Sequence, residues 1–174
     1  MLTLQLFATS FTEDLHIMAT LPILGVHQQT EYSNHHGLMG THAAGQTFVI
    51  GNLISVDANG EFVETAVAAP AAAAKNKLAA HKAGIKASRK QDYVNPTPTM
   101  VFEVSATGAA LTADLAEAGK RYGLAKDAPT GNHTLNLADT TNLVWELVMH
   151  NGSTIARGAV GDTNARLYAI LVAR

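Results

Sequence analysis

The feature that most constrains the fold of this chain is the alternation of apolar and polar side chains in short segments. Residues 100–106 and 143–149 are the clearest examples, with an apolar side chain at every second position. A two-residue period places one set of side chains on a single face of a β-strand, so Trp145 is expected in the core beside Leu143 and Leu147. Several such segments separated by turns are typical of closed or layered β folds. The sequence therefore predicts a mainly β fold, a small β-barrel or sandwich with at most one or two short helices.

The most distinct hairpin lies between residues 45 and 67. Apolar segments at 48–56 and 61–67 flank the turn sequence DANG at 57–60. The Asn-Gly pair tolerates the positive φ angles that tight hairpin turns require. This segment therefore predicts two antiparallel strands joined by a short turn.

Three further patterns belong to the same predicted domain. Residues 133–137 predict a short strand. Residues 167–173 are apolar on both faces, which predicts a central strand. In residues 109–123 apolar side chains recur at helical spacing, which predicts a short helix that ends near Gly119.

Residues 1–44 predict an extended N-terminal arm, followed by a β-domain at 45–174. The arm begins with alternating apolar residues and continues, from 28 to 45, with a stretch rich in Gly, His, Asn and Thr. A long segment that cannot bury itself usually binds another surface or stays disordered. We expect it to lie across a neighbouring subunit, with a disordered tail as the alternative. The side chains expected to anchor it are Leu2, Leu4, Leu6, Phe7 and Phe11.

An Ala/Lys-rich insertion at 68–98 interrupts the predicted β-domain and is interpreted as a mobile loop or a weak, solvent-facing helix. Residues 75–90 carry six bases and no acid, whereas residues 1–74 carry six acids and no base. No aromatic residues that could stack on nucleotide bases are interleaved with the basic ones, which disfavours nucleic acid as a partner. A solvated loop and a contact with an acidic protein surface remain open. The basic residues are Lys75, Lys77, Lys82, Lys86, Arg89 and Lys90.

The composition favours assembly with other proteins. Charged residues make up 15% of the chain, below the usual quarter or so, and partners can cover such a surface at little desolvation cost. The chain has no cysteine, which excludes disulfides and Cys-ligated zinc. No apolar run approaches the roughly 20 residues of a membrane span, and the N-terminus lacks the charged segment of a signal peptide. We expect a soluble protein, made in a cytoplasm, without a membrane partner.

Histidines supply the one candidate for a metal site. His35, His36 and His42 lie close together, with His27 upstream, but no Asp or Glu accompanies them at ligand spacing. The sequence has no Gly-x-Ser-x-Gly nucleophile elbow and no glycine loop of the kind that holds phosphates. The residues therefore predict no catalytic group, no metal ligand and no cofactor, and the chain is not expected to be an enzyme.

Three stretches carry a resemblance to a known family. They are GQTFVIGNLISVDANGEF at 45–62, GKRYGLAKDAPTGNHTLNLADTTN at 119–142 and GDTNARLYAILVAR at 161–174. In this order they resemble the head decoration (cement) proteins of tailed bacteriophages. The sequence MATLPILG from Met18 resembles the usual start of these proteins, so residues 1–17 look like an extension.

This resemblance implies a compact β-domain on the exterior of a phage capsid, in the virion, after synthesis in the cytoplasm of a bacterial host. The implied partners are the major capsid protein and further copies of the chain, as a trimer that bridges neighbouring capsid subunits and stabilises the shell. Two alternatives stay open. One is a minor head or tail structural component. The other is a metal-dependent hydrolase that uses His35, His36 and His42.

Overall fold

The computed structural model describes residues 24–25, 39–46, 49, 51–67, 78–80, 90–94 and 100–172. These residues form strands and turns and contain no helix. The strands, in chain order, are β1 Leu24–Gly25, β2 Met39–Thr41, β3 Leu53–Val56, β4 Phe62–Glu64, β5 Leu78–Ala80, β6 Lys90–Val94, β7 Phe102–Thr107, β8 Arg121–Lys126, β9 His133–Asn136, β10 Trp145–Leu147, β11 Ile155–Arg157 and β12 Arg166–Leu171.

Five of these strands close into a β-barrel, in the order β7-β9-β8-β10-β12. Pairing between β12 and β7 joins the last strand to the first. The β7–β9 pair is parallel, and the other four pairs of the ring are antiparallel. Strand β1 adds to β7, and β11 adds to β12. The predicted mainly β fold and small barrel are confirmed.

Alternation along the strands fills the barrel. On β7, Phe102 and Val104 point inward and are buried in the core. Trp145 and Leu147 are fully buried, as predicted, and the Trp145 ring meets the Phe102 ring edge to face at 6.0 Å. Leu143 is only partly buried, because the strand begins at Trp145 and the period of two does not extend back to residue 143. Strand β12 pairs with β7, β10 and β11, which confirms the predicted central strand.

The helix predicted within residues 109–123 is wrong. This segment runs as a series of turns that closes one end of the barrel. Leu111 exchanges two backbone hydrogen bonds with the loop before β12, donating to Asp162 at 2.9 Å and accepting from Gly161 at 2.7 Å. Gly119 donates to the carbonyl of Leu147 at 2.8 Å. These bonds to β10 and to the loop before β12 use backbone groups that a helix would pair internally. The apolar side chains at helical spacing, such as Leu111, pack in the barrel core instead.

The other strands form a five-stranded antiparallel sheet, in the order β2-β6-β5-β3-β4. Its β3–β4 hairpin is the one predicted from the DANG turn at 57–60, and Gly60 has the expected positive φ of 77°. A parallel bridge between His42 and Phe62 brings the two ends of the sheet together. This sheet lies beside the barrel and is named the side sheet below.

Two of the predicted segments are corrected by the side sheet and by β1. Within the insertion predicted at 68–98, residues 78–80 and 90–94 form β5 and β6, and the other residues of the insertion lie outside the described part of the chain. Pairing with β3 and β2 overrides the helix preference of Ala and Lys. Within the predicted arm at 1–44, β1 pairs with β7 and β2 with β6 of the same chain. The prediction of an extended arm therefore does not hold for β1 and β2. Its other residues, 1–23 and 26–38, lie outside the described residues.

Candidate functional site

The partner-binding residues predicted from the sequence fall almost entirely outside the described residues. This holds for the five apolar side chains of the arm and for five of the six bases. The exception is Lys90, whose backbone opens β6 opposite Thr41. Of the clustered histidines, His42 is described and is 1% exposed, with Nδ1 donating to the carbonyl of Ala43 at 2.9 Å.

The described residues contain no group of three His, Asp or Glu side chains arranged to hold a metal ion. Two clusters of ionisable and polar side chains include buried members. One cluster connects the side sheet to the barrel, and the other lies within the barrel wall. The hydrogen bonds and ion pairs within each cluster show what its side chains do.

The first cluster, named the joint, consists of Asn52, Glu64, Lys126 and His133. Asn52 Nδ2 donates to Glu64 Oε1 at 3.0 Å and to the carbonyl of Gly131 at 2.9 Å. Asn52 Oδ1 accepts the backbone N–H of His133 at 2.8 Å, and Lys126 Nζ donates to Glu64 Oε2 at 2.8 Å. Asn52 and Glu64 belong to the side sheet, whereas Lys126 and His133 lie on β8 and β9. The joint therefore connects the two sheets through directional bonds.

The imidazole of His133 has a defined role in the joint. Its Nδ1 accepts the backbone N–H of Leu53 at 3.0 Å, which places the ring hydrogen on Nε2. Nε2 lies 3.0 Å from Glu64 Oε1. Burial by itself raises the pKa of Glu64, but the contacts from His133 and Lys126 outweigh burial and lower this pKa from 4.5 to about 2. Glu64 is therefore a carboxylate at neutral pH and is fully engaged in holding the joint.

The second cluster joins three neighbouring strands of the barrel wall. Glu103 on β7 places Oε1 2.7 Å from Arg166 Nε on β12 and 3.1 Å from Arg157 Nε on β11. Arg166 Nη2 also donates to the backbone carbonyl of Glu103 at 2.9 Å. Burial lowers the pKa of Arg166 and the Glu103 carboxylate opposes that shift. The Glu103 carboxylate balances the charge of the buried Arg166, whereas Arg157 is 65% exposed to water. The cluster therefore serves strand pairing.

The outer wall of the barrel at β10 and β12 has a different character. Three apolar side chains on this side are only partly buried, namely Tyr168 and Ile170 of β12 and Val148 just after β10. They lie beside a charged pair, because Glu146 of β10 is opposite Ile170 and lies 2.7 Å from Arg121. Val148 donates its N–H to the carbonyl of Tyr168 at 3.0 Å, which places these two side chains opposite each other. Met149 follows and is 64% exposed, the largest value among the exposed large apolar side chains. We name the four apolar residues Val148, Met149, Tyr168 and Ile170, together with His150, the β10–β12 face.

A small hairpin turn stands at the edge of this face. His150 and Ser153 exchange two backbone hydrogen bonds, at 2.9 and 3.1 Å, around Asn151 and Gly152. Both central residues have positive φ, 52° and 79°, as a type I′ turn requires. The His150 ring lies 4.7 Å from the Tyr168 ring, which ties the turn to β12.

The sequence analysis did not predict the β10–β12 face. The available signal was the apolar character of both faces of residues 167–173. That pattern was explained by a central position in the sheet. In the structure, Leu167, Ala169 and Leu171 fill the core, and the alternate residues Tyr168 and Ile170 remain partly exposed on the outside. The apolar character of both sides of this strand therefore corresponds to one core-facing row and one partly exposed row of side chains.

Comparison of this chain with protein-family models, with curated proteins and with solved structures finds no match. The part of the chain that the structure describes includes no helix long and apolar enough to cross a lipid bilayer.

Proposed function

We propose that this chain is a structural decoration (cement) protein of a tailed-bacteriophage head. It binds the outer surface of the shell and bridges neighbouring capsid subunits. The observation that carries the proposal is the β10–β12 face, a group of partly or fully exposed apolar side chains beside the Arg121–Glu146 ion pair on the outer wall of a closed barrel. Apolar side chains left on such a wall favour contact with another protein. The buried charges described above hold the molecule together, and we assign no reaction to them.

The three stretches that resemble decoration proteins support the proposal, because each contributes to the same apolar core, through Leu53, Leu124 and Leu167 respectively. Residues 45–62 include the β3–β4 turn, residues 119–142 form the β8–β9 hairpin, and residues 161–174 include β12. Asn52 and His133 connect the first stretch to the second. The resemblance therefore falls on one contiguous part of the molecule rather than on scattered loops.

Bridging is a physically suitable task for this architecture. Internal pressure from a packaged genome pulls capsid subunits apart, and a bound oligomer adds buried area across their joints. Several attachment points on one oligomer raise the effective affinity without stronger individual contacts. In this proposal the chain is a trimer, its apolar N-terminal residues bind a neighbouring subunit, and its basic segment faces acidic protein.

The proposal is tested with heads assembled from the major capsid protein encoded alongside this chain. Purified full-length protein should cosediment with these heads in many copies per particle. Met149→Ser should weaken this binding, whereas Val160→Ser should not, because Val160 is similarly exposed, at 57% against 64%, but lies outside the β10–β12 face. A few copies per particle would instead favour a minor head or tail component. Bound metal with hydrolytic activity, and no binding to heads, would favour the hydrolase.

The arm is tested separately by deleting residues 1–17. If the truncated protein folds but binds heads poorly, the arm is an anchor. If it binds as tightly as the full chain, the contacts belong to the barrel. Binding of a variant with Gln at Lys82, Lys86, Arg89 and Lys90 should be lost more at low salt than at high salt.

A further inference from the structure

We propose that Asn151 is a site of self-modification in the folded protein. In this reaction the backbone nitrogen of Gly152 attacks the side-chain amide of Asn151, and water then converts the cyclic product to aspartate and isoaspartate. The proposal rests on the geometry of the turn at residues 150–153 and does not depend on the proposed function.

The sequence contains two Asn-Gly pairs, Asn59-Gly60 and Asn151-Gly152. Glycine favours this reaction because it has no Cβ to hinder the approach of its backbone nitrogen to the asparagine Cγ. Both pairs lie in exposed hairpin turns, so local sequence and exposure are nearly matched. The hydrogen bonds around the two pairs differ, and this difference predicts which asparagine reacts.

The turn at Asn59 is restrained by Asp57. Gly60 N–H donates to the carbonyl of Asp57 at 3.1 Å, so the attacking nitrogen is already engaged. Asp57 Oδ1 accepts the N–H of Asn59 at 2.9 Å and the N–H of Glu61 at 2.8 Å. Attack on the Asn59 side chain requires these bonds to be broken.

The turn at Asn151 has bonds only at its base. His150 and Ser153 pair with each other, but within the described part of the chain neither the Asn151 side chain nor the Gly152 N–H has a hydrogen-bond partner. A Cβ added to Gly152 would meet no atom within 4 Å, so the surroundings are open. Asn151 is also the non-glycine residue with positive φ in the described residues, a conformation that costs energy outside glycine. The nitrogen and the side chain at this site are therefore free to rearrange.

The chemistry needs only water. Gly152 nitrogen loses its proton to water as it bonds to Asn151 Cγ, and the Cγ–NH2 bond breaks with release of ammonia. Water then adds to one of the two carbonyl carbons of the ring and breaks its bond to nitrogen. One cleavage gives aspartate, and the other gives isoaspartate, in which the backbone runs through the side chain. The net change is an amide and water converted to a carboxylate and ammonium.

The products change the turn itself. Each adds a negative charge beside His150 and Met149. Isoaspartate also lengthens the backbone between His150 and Ser153, whose paired bonds at 2.9 and 3.1 Å fit a two-residue connection. If the β10–β12 face binds heads, as proposed above, the modified protein should bind less well. That consequence depends on the proposed function, whereas the modification does not.

The test incubates the full-length protein under mildly alkaline conditions and measures the products at both sites by peptide mapping. Asn151 should convert at least about fivefold faster than Asn59, the factor that a net hydrogen bond on the attacking nitrogen supplies. In urea, where both turns are unfolded, the two rates should become similar. Isoaspartate should appear as a product at residue 151.

The variant Asp57→Ala provides the matched control, because it removes the side-chain bonds to the N–H groups of Asn59 and Glu61 but keeps the Gly60 bond to the carbonyl of residue 57. It leaves Asn151 unchanged. Its Asn59 should react faster than Asn59 of the wild type but remain slower than Asn151, since the attacking Gly60 nitrogen is still hydrogen-bonded. Equal rates at the two sites in the folded wild-type protein, a faster Asn59, or no product at Asn151 would each overturn the proposal. These readouts use the isolated protein, so a failure to bind heads has no effect on them.

Discussion

The barrel and the side sheet are both built from short strands, but different interactions hold them. The barrel encloses a continuous apolar core that includes Phe102, Trp145 and Leu167. From the described part of the side sheet, only Leu53 belongs to that core. Among the described side chains of the side sheet, Ile54 and Phe62 are also buried, and polar contacts add to them, such as the buried Ser55–Thr65 hydroxyl pair at 2.7 Å and the joint. Apolar burial thus stabilises the barrel, and directional bonds position the side sheet on it.

This difference predicts two kinds of response to substitution. Loss of apolar volume in the barrel should destabilise the whole domain, because all five strands share the core. Loss of a group in the joint should act on the contact between the sheets and leave the barrel intact. The following predictions test this contrast, beginning with the largest effect.

Trp145→Ala should destabilise the protein by about 3–5 kcal/mol, the usual cost of emptying a buried aromatic site. Trp145 is fully buried and packs against Phe102, so little of the cavity can be refilled. Urea unfolding followed by circular dichroism measures the effect. Trp145→Phe is the control and should cost much less, because Phe retains a ring. It also removes a buried indole N–H that has no hydrogen-bond partner in the described residues.

Glu64→Gln should lower stability at pH 7 by at most about 3 kcal/mol, and the loss should depend on pH. The pKa of Glu64 falls from 4.5 to about 2 on folding. The carboxylate therefore stabilises the folded state above pH 4.5, and this stabilisation is lost as pH falls towards 2. Unfolding free energies of the wild type and Glu64→Gln should converge over that range. Glu117→Gln, an exposed barrel position at 68% side-chain exposure, serves as the control and should show no such convergence.

Asn52→Ala should cost about 1–2 kcal/mol, since it leaves the backbone N–H of His133 and the carbonyl of Gly131 without the bonds they now make. Hydrogen exchange measures where the loss falls. Protection in β3 should decrease, and protection in β7 and β12 should be retained. Asn164→Ala, outside the joint, is the control. Equal loss of protection in β3 and β12 would mean that the barrel and side sheet unfold as one unit.

The barrel could be predicted from the sequence and the joint could not, for a physical reason. Alternation is a local pattern, and residues 100–106 show it whatever they pack against. The joint depends on partners far apart in the chain, such as Asn52 and His133, and a lone histidine in the sequence carries no sign of its bond to Leu53. The same limit applies to β5 and β6, which lie in or next to an Ala/Lys-rich segment. Ala and Lys favour helix locally, and only pairing with strands distant in the sequence makes these residues extended. The short helix predicted within residues 109–123 does not form, because the turns after β7 make hydrogen bonds to the loop before β12.

The smallest predicted effect compares two lysine–carboxylate pairs of similar geometry. Lys126 lies 2.8 Å from Glu64 in the joint, and Lys120 lies 3.0 Å from Asp114 on the barrel surface. The lysines are similarly exposed, at 41% and 36%, but Glu64 is 20% exposed and Asp114 is 77% exposed. Water screens the surface pair more strongly, because its carboxylate is largely hydrated. The two pairs differ mainly in carboxylate exposure, although Lys120 also lies 3.7 Å from a second carboxylate, that of Glu117.

Lys126→Gln should cost about 0.5–1 kcal/mol, and Lys120→Gln should cause no measurable change in unfolding midpoint. The Lys126 effect should shrink only modestly between low and high salt, since the joint is partly shielded from ions. Urea unfolding at two salt concentrations gives both quantities. If the two substitutions cost the same, the joint is as hydrated as the outer surface, and its positioning of the side sheet must come from Asn52 and His133 alone. If Lys126→Gln costs more and selectively exposes β3 to hydrogen exchange, then the ion pair itself helps to hold the side sheet on the barrel.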